Sequence, residues 1–306
     1  MEAIMKKDEI LLESGTNELE IIEFLITDKS FGINVAKVEE ILRYDKNITP
    51  MPHSSKFIEG VFKPRGTIIT IINLAKYLGL PESDNNENDI LIVARFNNLF
   101  SAFHVHNVKD IYRISWADIE KPDITIYGGG SGVATGIARY DGRLITILDF
   151  EKIIADISPK ASIKIEEIEA LGERKTSYKP ILIAEDSPML EKLIYDSLIK
   201  AGYTNLIVTT NGDEAWEKLI QLKEKDGPIK DYVSLVITDI EMPKMDGHHL
   251  LKRIREDREL SVLPVIIFSS LINEQMRLKG NQLGATAQVS KPEIGNLVEI
   301  IDQYIQ

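Results

Sequence analysis

The sequence predicts two domains, an all-β domain followed by an α/β domain built on a five-stranded parallel sheet. Short runs rich in β-branched and aromatic residues dominate residues 18–155, where helical patterns are few. From residue 180 onward, short apolar runs alternate with amphipathic stretches, which indicates repeated β–α units. A charged stretch at 156–179 interrupts both patterns and indicates a solvated linker.

The composition excludes several classes of function. The chain has 306 residues, enough for two domains, and no cysteine, so disulfides, thiolate catalysis and cysteine metal sites are excluded. Its net charge of -12 is shared, because residues 179–306 hold 15 Lys and Arg against 20 Asp and Glu. Neither part offers the basic field that nucleic acid or an anionic membrane needs. Apolar runs reach only strand length and no signal segment follows Met1, so we expect a cytoplasmic protein that is not embedded in a membrane.

The first domain contains an internal repeat at an offset of 76 residues. Its predicted strands are 21–27, 67–72, 90–94, 99–105 and 144–148. Residues 60–76 align with 136–152 without a gap, and six positions are identical: Gly60/Gly136, Gly66/Gly142, Ile69/Ile145, Thr70/Thr146, Ile71/Ile147 and Lys76/Lys152. Residues 38–41 align more loosely with 108–111. The alternative is chance similarity between Ile-rich strands, but the repeat favours two similar β-subdomains with turns at Gly66 and Gly142.

The second domain is predicted to be a parallel sheet with helices on both faces. Its strands are 181–184, 206–208, 235–238, 265–268 and 285–289. Its helices are 188–201, 213–225, 247–256, 274–283 and 294–305. Pro188 suits the first turn of its helix and Ser187 suits the N-cap.

Polar side chains directly follow the apolar strands of this sheet. Glu185 and Asp186 come after the first strand, Asp239 after the third and Lys291 just past the fifth. The carboxyl ends of parallel strands form the ligand crevice of an open α/β sheet, so these side chains are predicted to meet. The alternative is that the acids only solvate strand ends. Four suitable residues at strand ends favour instead a Mg²⁺ site with an ammonium beside it, suited to phosphoryl chemistry on a carboxylate.

Each residue of the predicted site has a role. Asp239 and Asp186 are the best direct metal ligands, and Glu185 could bind directly or through water. The backbone carbonyl of Glu241 is a further ligand. Lys291 pairs with Asp239 or with phosphoryl oxygens, and the hydroxyl of Ser269, at the end of the fourth strand, donates to a phosphoryl oxygen.

Residues 180–306 closely resemble the receiver domain of two-component response regulators. The matching motifs are Ile183-Ala184-Glu185-Asp186-Ser187, Thr238-Asp239-Ile240-Glu241-Met242-Pro243-Lys244-Met245-Asp246-Gly247, Phe268-Ser269-Ser270 and Ser290-Lys291-Pro292. The resemblance implies a flavodoxin-like fold with Asp239 phosphorylated by a histidine kinase. It implies a signalling module that catalyses its own phosphorylation and dephosphorylation rather than a metabolic enzyme. Gln288 replaces the Tyr or Phe that many receivers carry as a switch.

Residues 18–155 resemble the CheW-like coupling domain of bacterial chemotaxis. The resemblance rests on Glu23-Phe24-Leu25-Ile26, Phe31-Gly32-Ile33, Val38-Glu39-Glu40-Ile41-Leu42-Arg43, Phe57 to Gly66 and Ile71-Ile72-Asn73-Leu74. It implies a double barrel of SH3-like subdomains that binds the chemoreceptor signalling tip and the regulatory domain of the chemotaxis kinase. Of the family's Asn-Leu-Arg-Gly pattern only Arg65 and Gly66 match, and they are the predicted docking residues.

The two domains in this order resemble the CheV type of coupling protein, and residues 10–20 resemble its start. We therefore expect an extension at 1–17, a coupling domain at 18–155, a linker at 156–179 and a receiver at 180–306. No DNA-binding output is expected, because nothing follows Gln306. The resemblance implies an adaptor at membrane-associated receptor arrays that couples chemoreceptors to the kinase, modulated by phosphorylation of Asp239. The alternatives are a phosphate sink and a constitutive adaptor with a non-signalling receiver.

Other residue patterns favour structural roles. His104 and His106 share one strand face and His248 and His249 open a helix, but no further His or Cys lies nearby in sequence to complete a metal site. The glycine-rich segment 128–132 precedes no helix with phosphate-binding spacing, so it is predicted to be a loop. Trp116 and Trp216 are predicted to be packing residues.

Overall fold

The computed structural model describes residues 17–44, 47–83, 86–96, 99–122, 132–158, 175–291 and 293–305. The predicted extension at 1–17, apart from its last residue, lies outside the described residues. So do most of the predicted linker at 156–179 and residues 128–131 of the glycine-rich segment.

The described residues of the first domain form eleven strands in two sheets. Their bounds are β1 Glu18–Ile26, β2 Lys29–Asn34, β3 Val38–Arg43, β4 Ile58–Phe62, β5 Ile69–Asn73, β6 Ile90–Phe96, β7 Leu99–Val105, β8 Asn107–Ser115, β9 Ile119–Glu120, β10 Ala134–Tyr140 and β11 Arg143–Leu148. The apolar runs predicted β1, β5, β6, β7 and β11. They missed strands such as β3 and β8, whose outer faces carry charged side chains including Glu39 and Lys109.

The two sheets share the arrangement of five strands, and the first sheet has β9 as a sixth. One has the order β8-β1-β2-β11-β10-β9 and the other the order β3-β6-β7-β5-β4. In each, a hairpin (β1–β2 or β6–β7) pairs in parallel with the second strand of the repeat, β11 or β5. This confirms two similar β-subdomains, and the aligned segments fall on β4–β5 against β10–β11 and on β3 against β8. The subdomains are interleaved, because β1 and β2, the first strands of the domain, complete the sheet formed by its last strands, β9 to β11.

The repeat extends to the turns and helix caps. The predicted turn glycines both have positive φ, 102° at Gly66 and 74° at Gly142, a conformation that glycine adopts at little cost. Helix α1 (Leu74–Tyr77) begins where the Asn73 side chain accepts a hydrogen bond from a backbone N–H at 2.8 Å. Helix α2 (Phe150–Ile157) begins the same way at Asp149, at 2.9 Å.

A shared core joins the two β-subdomains. Alternate residues of β1 and β6 divide between two faces: Ile21 packs in the core of its own subdomain, whereas Ile22 and Ile92 pack in the shared core. Helix α2 inserts Phe150, whose ring centroid lies 4.7 Å from that of Phe103. Each such buried side chain contributes about 1.5–3 kcal/mol, so the subdomains stabilise one another.

The second domain is a parallel sheet between two layers of helices. Its strands are β12 Ile181–Ala184, β13 Leu206–Thr209, β14 Leu235–Thr238, β15 Val265–Ser269 and β16 Ala287–Ser290, in the order β13-β12-β14-β15-β16. Its helices are α3 Pro188–Lys200, α4 Gly212–Lys223, α5 Gly247–Glu256, α6 Glu274–Gln282 and α7 Ile294–Tyr304. Side chains of β12 alternate between two separate cores, one on each face. This confirms the predicted flavodoxin-like fold. Ser187 lies at the N-cap of α3, but its side chain makes no capping hydrogen bond.

Candidate functional site

Two acids predicted from strand ends lie side by side at the carboxyl edge of the parallel sheet. Ala184 of β12 is paired with Thr238 of β14, so the next residues, Glu185 and Asp239, leave the sheet at the same level. The backbone N–H of Asp239 donates to the carbonyl of Ala184 at 3.0 Å. The sheet ladder itself therefore fixes the separation of these two carboxylates.

The ammonium of Lys291 bridges these two carboxylates. Lys291 follows β16, and its Nζ lies 2.7 Å from Glu185 Oε2 and 2.8 Å from Asp239 Oδ2. Only 2% of the residue is exposed. Burial on its own lowers the pKa of Lys291, but Asp239 and Glu185 outweigh it and raise that pKa well above its usual value. The lysine is therefore a fixed positive charge inside the site.

The remaining carboxylate oxygens are held by the backbone. Asp239 Oδ1 accepts a hydrogen bond from the N–H of Ile240 at 2.6 Å, and Glu185 Oε1 accepts one from the N–H of Ser187 at 3.4 Å. Such bonds set the orientation of each carboxylate before any ligand arrives.

The donor set of Glu185, Asp186 and Asp239 fits a divalent cation. One ligand oxygen from each lies within 4.8 Å of the others. Burial and the charge of Asp239 raise the pKa of Asp186 to about 8, and burial raises that of Glu185 well above its usual value. Metal binding should therefore depend on pH, because a carboxylate has to be deprotonated to act as a ligand. Carboxylate oxygens are the ligands that hard cations such as Mg²⁺ prefer.

Ser269 ends β15, the strand next to that of Asp239, and it is buried. Its hydroxyl accepts a hydrogen bond from the backbone N–H of Leu271 at 3.2 Å. The sheet places it at the same edge as the acids. Its predicted hydrogen bond to a phosphoryl oxygen stays a prediction.

Two known protein families match this chain, one on each of its two domains. The CheW-like domain family matches residues 20–158, and the response regulator receiver domain family matches residues 181–302. Chemotaxis protein CheV3 of Helicobacter pylori is 30% identical over 302 residues, which cover 94% of this chain and 95% of that protein. The chain belongs to the CheV family of chemotaxis proteins.

Shorter relatives match one domain of this CheV-family chain at a time. Chemotaxis protein CheW of Thermotoga maritima is 33% identical over 152 residues, half of this chain and 98% of that protein. The crystal structure of the scaffolding protein TtCheW from Thermoanaerobacter tengcongensis is 25% identical and covers 42% of this chain and 88% of its own, with a TM-score of 0.38. The family assignment rests on the sequence matches. They make the protein a chemotaxis coupling adaptor with a receiver domain.

Glu241, predicted as a ligand through its backbone carbonyl, also has a side-chain role that the sequence did not indicate. Its carboxylate accepts a hydrogen bond from Asn34 at 2.7 Å and forms an ion pair with Lys37. Both partners belong to the CheW-like domain. The role of the Glu241 carbonyl stays a prediction, whereas its side chain connects the two domains of this CheV-family protein.

The predicted docking residues lie between β4 and β5. Arg65 and Gly66 belong to a short 3-10 turn, Pro64–Gly66, and Gly66 is exposed. The side chain of Arg65 lies outside the described residues. The docking role of this turn stays a prediction. Among the described residues, no helix combines the length and apolar character needed to cross a membrane.

A buried ion cluster in the CheW-like domain was not predicted from the sequence. The ring of His104 lies with Nδ1 2.8 Å from Glu59 Oε1 and Nε2 2.9 Å from Asp89 Oδ2. Burial on its own lowers the pKa of His104, but the hydrogen bonds and charges of Glu59 and Asp89 raise it overall. Both ring nitrogens face carboxylates, so the ring acts as an imidazolium that pairs with two acids. His106 accepts a separate hydrogen bond from the backbone.

Proposed function

We propose that this protein couples chemoreceptors to the chemotaxis histidine kinase and that kinase-dependent phosphorylation of Asp239 modulates that coupling. The carrying observation is the buried Lys291 ammonium, within 2.8 Å of both Glu185 and Asp239 at the edge of a three-carboxylate cluster. The CheW-like domain in the same chain supplies the other half of the proposal, because its family relatives are chemotaxis proteins. The protein would act in the cytoplasm, at membrane-associated receptor arrays.

The reaction at Asp239 is a phosphoryl transfer from a phosphohistidine of the kinase. One carboxylate oxygen of Asp239 forms a bond to phosphorus as the phosphorus–nitrogen bond breaks. The electron pair of that bond stays on the imidazole nitrogen, which takes a proton from solvent. Hydrolysis removes the phosphoryl group from Asp239: water attacks phosphorus, inorganic phosphate leaves and the carboxylate is regenerated. The domain promotes only these two steps on itself, so it acts as a signalling module.

The residues of the site would supply charge and position. A Mg²⁺ ion held by Glu185, Asp186, Asp239 and the Glu241 carbonyl would neutralise charge as two anions approach one another. Lys291 needs no reorganisation, since its ammonium already lies 2.8 Å from Asp239 Oδ2. The Ser269 hydroxyl would donate to a phosphoryl oxygen and so detect the modified state.

The CheW-like domain would deliver the signal to its partners. Arg65 and Gly66, in the turn between β4 and β5, would contact the receptor signalling tip or the regulatory domain of the kinase. An arginine guanidinium can bind a partner carboxylate in a bidentate geometry. Arg65→Ala should therefore weaken binding to one of these partners without changing phosphorylation of Asp239.

The test is transfer of labelled phosphate from the autophosphorylated kinase to the full-length protein with Mg²⁺. Wild type should become labelled in an acid-stable, base-labile acyl phosphate, and Asp239→Asn should not. Asp257→Asn is the matched control, because that aspartate belongs to the same domain and pairs with Lys223 at 2.7 Å, remote from the site. An unlabelled wild type would refute the proposal, and equal labelling of Asp239→Asn would refute the choice of residue.

A further inference from the structure

The CheW-like domain covers the Asp239 site of the receiver. A cleft at the domain interface is lined from one side by Lys37, Asp149 and Glu151 and from the other by Asp186, Asp239 and Glu241. The cleft thus lies over the acidic cluster itself. The phosphodonor domain of the kinase would therefore approach Asp239 from the face that the first domain occupies.

Lys37 is the centre of this interface. It lies in the short turn between β2 and β3, and only 9% of it is exposed. Its ammonium lies 3.2 Å from Glu151 Oε1 and forms an ion pair with Glu241, two residues after the proposed phosphoacceptor. Burial on its own lowers the pKa of Lys37, but the charges of Glu241 and Glu151 raise it overall. This buried cation connects an acid of each domain.

Further interdomain contacts fall on the loops that follow the receiver strands. Glu151 accepts a hydrogen bond from the hydroxyl of Ser270, the residue after Ser269. The side chain of Asn273 donates to the carbonyl of Ala36 at 3.4 Å. Two more contacts belong to the interface: Lys121 donates to the Thr210 carbonyl at 3.1 Å, and Asn17 donates to the Lys244 carbonyl at 2.8 Å. The first domain therefore contacts the loops after β13, β14 and β15.

The two lysines at the centre of the covered site, Lys37 and Lys291, are already paired with acids. Each of its central cations already faces two carboxylates: Lys291 faces Glu185 and Asp239, and Lys37 faces Glu151 and Glu241. The first domain also adds acids to the cleft. A phosphoryl group on Asp239 would add negative charge opposite Glu151, and like charges repel strongly where burial limits screening by water.

We propose that the CheW-like domain is a removable cover of the phosphorylation site. The turn with Lys37 and the start of α2 with Glu151 compete with the kinase phosphodonor for one face of the receiver. Phosphorylation of Asp239 favours the open arrangement, which exposes the inner face of the CheW-like domain to partners. The inference rests on the proposed phosphorylation, and it adds the physical link by which the receiver would alter coupling.

The resting arrangement can be measured without any phosphoryl transfer. The chain lacks cysteine, so Asp110→Cys and Glu224→Cys, both at exposed positions in different domains, give two unique spin-label sites in the full-length protein. We expect one narrow distribution of the distance between the two labels in the resting protein. In Lys37→Met that distribution should be broad, because the domains separate more often. Ser270→Ala, which removes an interdomain hydrogen bond from the receiver side, should broaden it in the same direction. Lys109→Met is the matched control, because Lys109 pairs with Glu23 inside the first domain.

The phosphoryl group itself is mimicked by beryllium trifluoride with Mg²⁺. The mimic should broaden the distance distribution of the doubly labelled wild type and leave that of Asp239→Asn narrow. A broad distribution of label distances in the resting wild type would refute the proposal that the first domain covers the site. A narrow distribution in both the mimic-treated wild type and Lys37→Met would also refute it.

Phosphorylation rates provide the second readout. Labelling by the kinase should be at least about tenfold faster in Lys37→Met than in wild type. A tenfold change corresponds to about 1.4 kcal/mol, and removing one partner of a buried charge pair destabilises the closed arrangement by more than that. Labelling by the small donor acetyl phosphate should change less. If the kinase labels wild type and Lys37→Met at equal rates, the proposed competition between the first domain and the kinase is refuted. The proposed function then still stands, because wild type is phosphorylated. No labelling of any variant by either donor overturns the proposed function and the competition together.

Discussion

Replacing Lys291 with methionine is expected to lower the unfolding free energy of the receiver domain by about 3–5 kcal/mol at pH 7 without divalent cation. Methionine has a similar length but no charge. Lys291 Nζ lies within 2.8 Å of the carboxylates that follow β12 and β14, and the residue is 2% exposed. Removing one partner of a buried ion pair leaves the other charge without compensation, which sets the size of the loss.

The magnitude can be reached by a second route. The ammonium donates two charge-assisted hydrogen bonds, to Glu185 and to Asp239. Each such bond contributes about 1.5–3 kcal/mol, so the pair contributes roughly the same amount as the first argument gives. Domains of this size are stable by about 5–15 kcal/mol, so the loss is large enough to measure.

The assay is urea unfolding followed by tryptophan fluorescence. The sequence has two tryptophans, and Trp116→Phe leaves Trp216, which packs on the receiver core, as the only reporter. Lys223→Met in the same background is the control. Lys223 lies 2.7 Å from Asp257, but its side chain is 27% exposed, so its removal should cost less than about 1 kcal/mol. A loss in Lys291→Met no larger than in this control would refute the reasoning.

Acidification tests the same electrostatic argument. Burial raises the pKa of Glu185 well above its usual value, so this acid contributes stability at low pH that is lost as the pH rises through its folded-state pKa. Without the Lys291 ammonium, Glu185 holds its proton even more tightly. The loss caused by Lys291→Met should therefore shrink between pH 7.5 and pH 5. An equal loss at both pH values would contradict the account.

Three further predictions concern other parts of the molecule. The pKa of His104 is raised overall, so its contribution to first-domain stability should be complete below its usual pKa of about 6.5 and lost as the pH rises through the raised value. Thermal unfolding at several pH values should show this dependence in wild type and not in His104→Gln. Mg²⁺ at 100 times its dissociation constant should stabilise wild type by about 2.7 kcal/mol but not Asp186→Asn, as measured by unfolding with and without the metal. A Cβ at Gly247 would clash with the carbonyl oxygen of Asp239, so Gly247→Ala should cost about 1–3 kcal/mol and weaken Mg²⁺ binding by calorimetry. Gly142→Asn, which has nothing within 4 Å but a positive φ, should cost less and leave Mg²⁺ binding unchanged.

The receiver fold could be predicted almost fully from the sequence, because its signals are local. Apolar runs such as 181–184 and 235–238 match the strand bounds, and the strand-end rule alone brought together Glu185, Asp239 and Lys291. Parallel strands with short connections leave few choices of topology, and their ends all reach one edge.

The interleaving of the two β-subdomains could not be predicted from local patterns. The repeat showed that 60–76 resembles 136–152, but it did not show which hairpin completes which sheet. The pairing of β2 with β11 joins residues more than a hundred positions apart, through only the Thr146–Phe31 and Ile147–Gly32 register. Such a choice depends on the shared core rather than on either strand alone.

The polar clusters outside the receiver motif were also invisible in the sequence. His104, Glu59 and Asp89 come from different strands and connections and follow no fixed spacing. Lys37 and Glu151 are separated by 114 positions, and the ion pair that links Lys37 to Glu241 of the receiver forms only when the domains dock. Charged residues on a predicted strand edge or helix start are usually solvated, so sequence patterns gave no reason to single these out.

The central claim, that phosphorylation of Asp239 modulates coupling, is tested most directly by kinase activity in reconstituted receptor–kinase complexes. Wild type and Asp239→Asn are compared before and after treatment with acetyl phosphate and Mg²⁺, so that phosphorylation does not draw on the kinase. The account predicts that treatment changes kinase activation by wild type and leaves Asp239→Asn unchanged. Equal kinase activation by phosphorylated and unphosphorylated wild type would contradict it and would favour a constitutive adaptor or a phosphate sink.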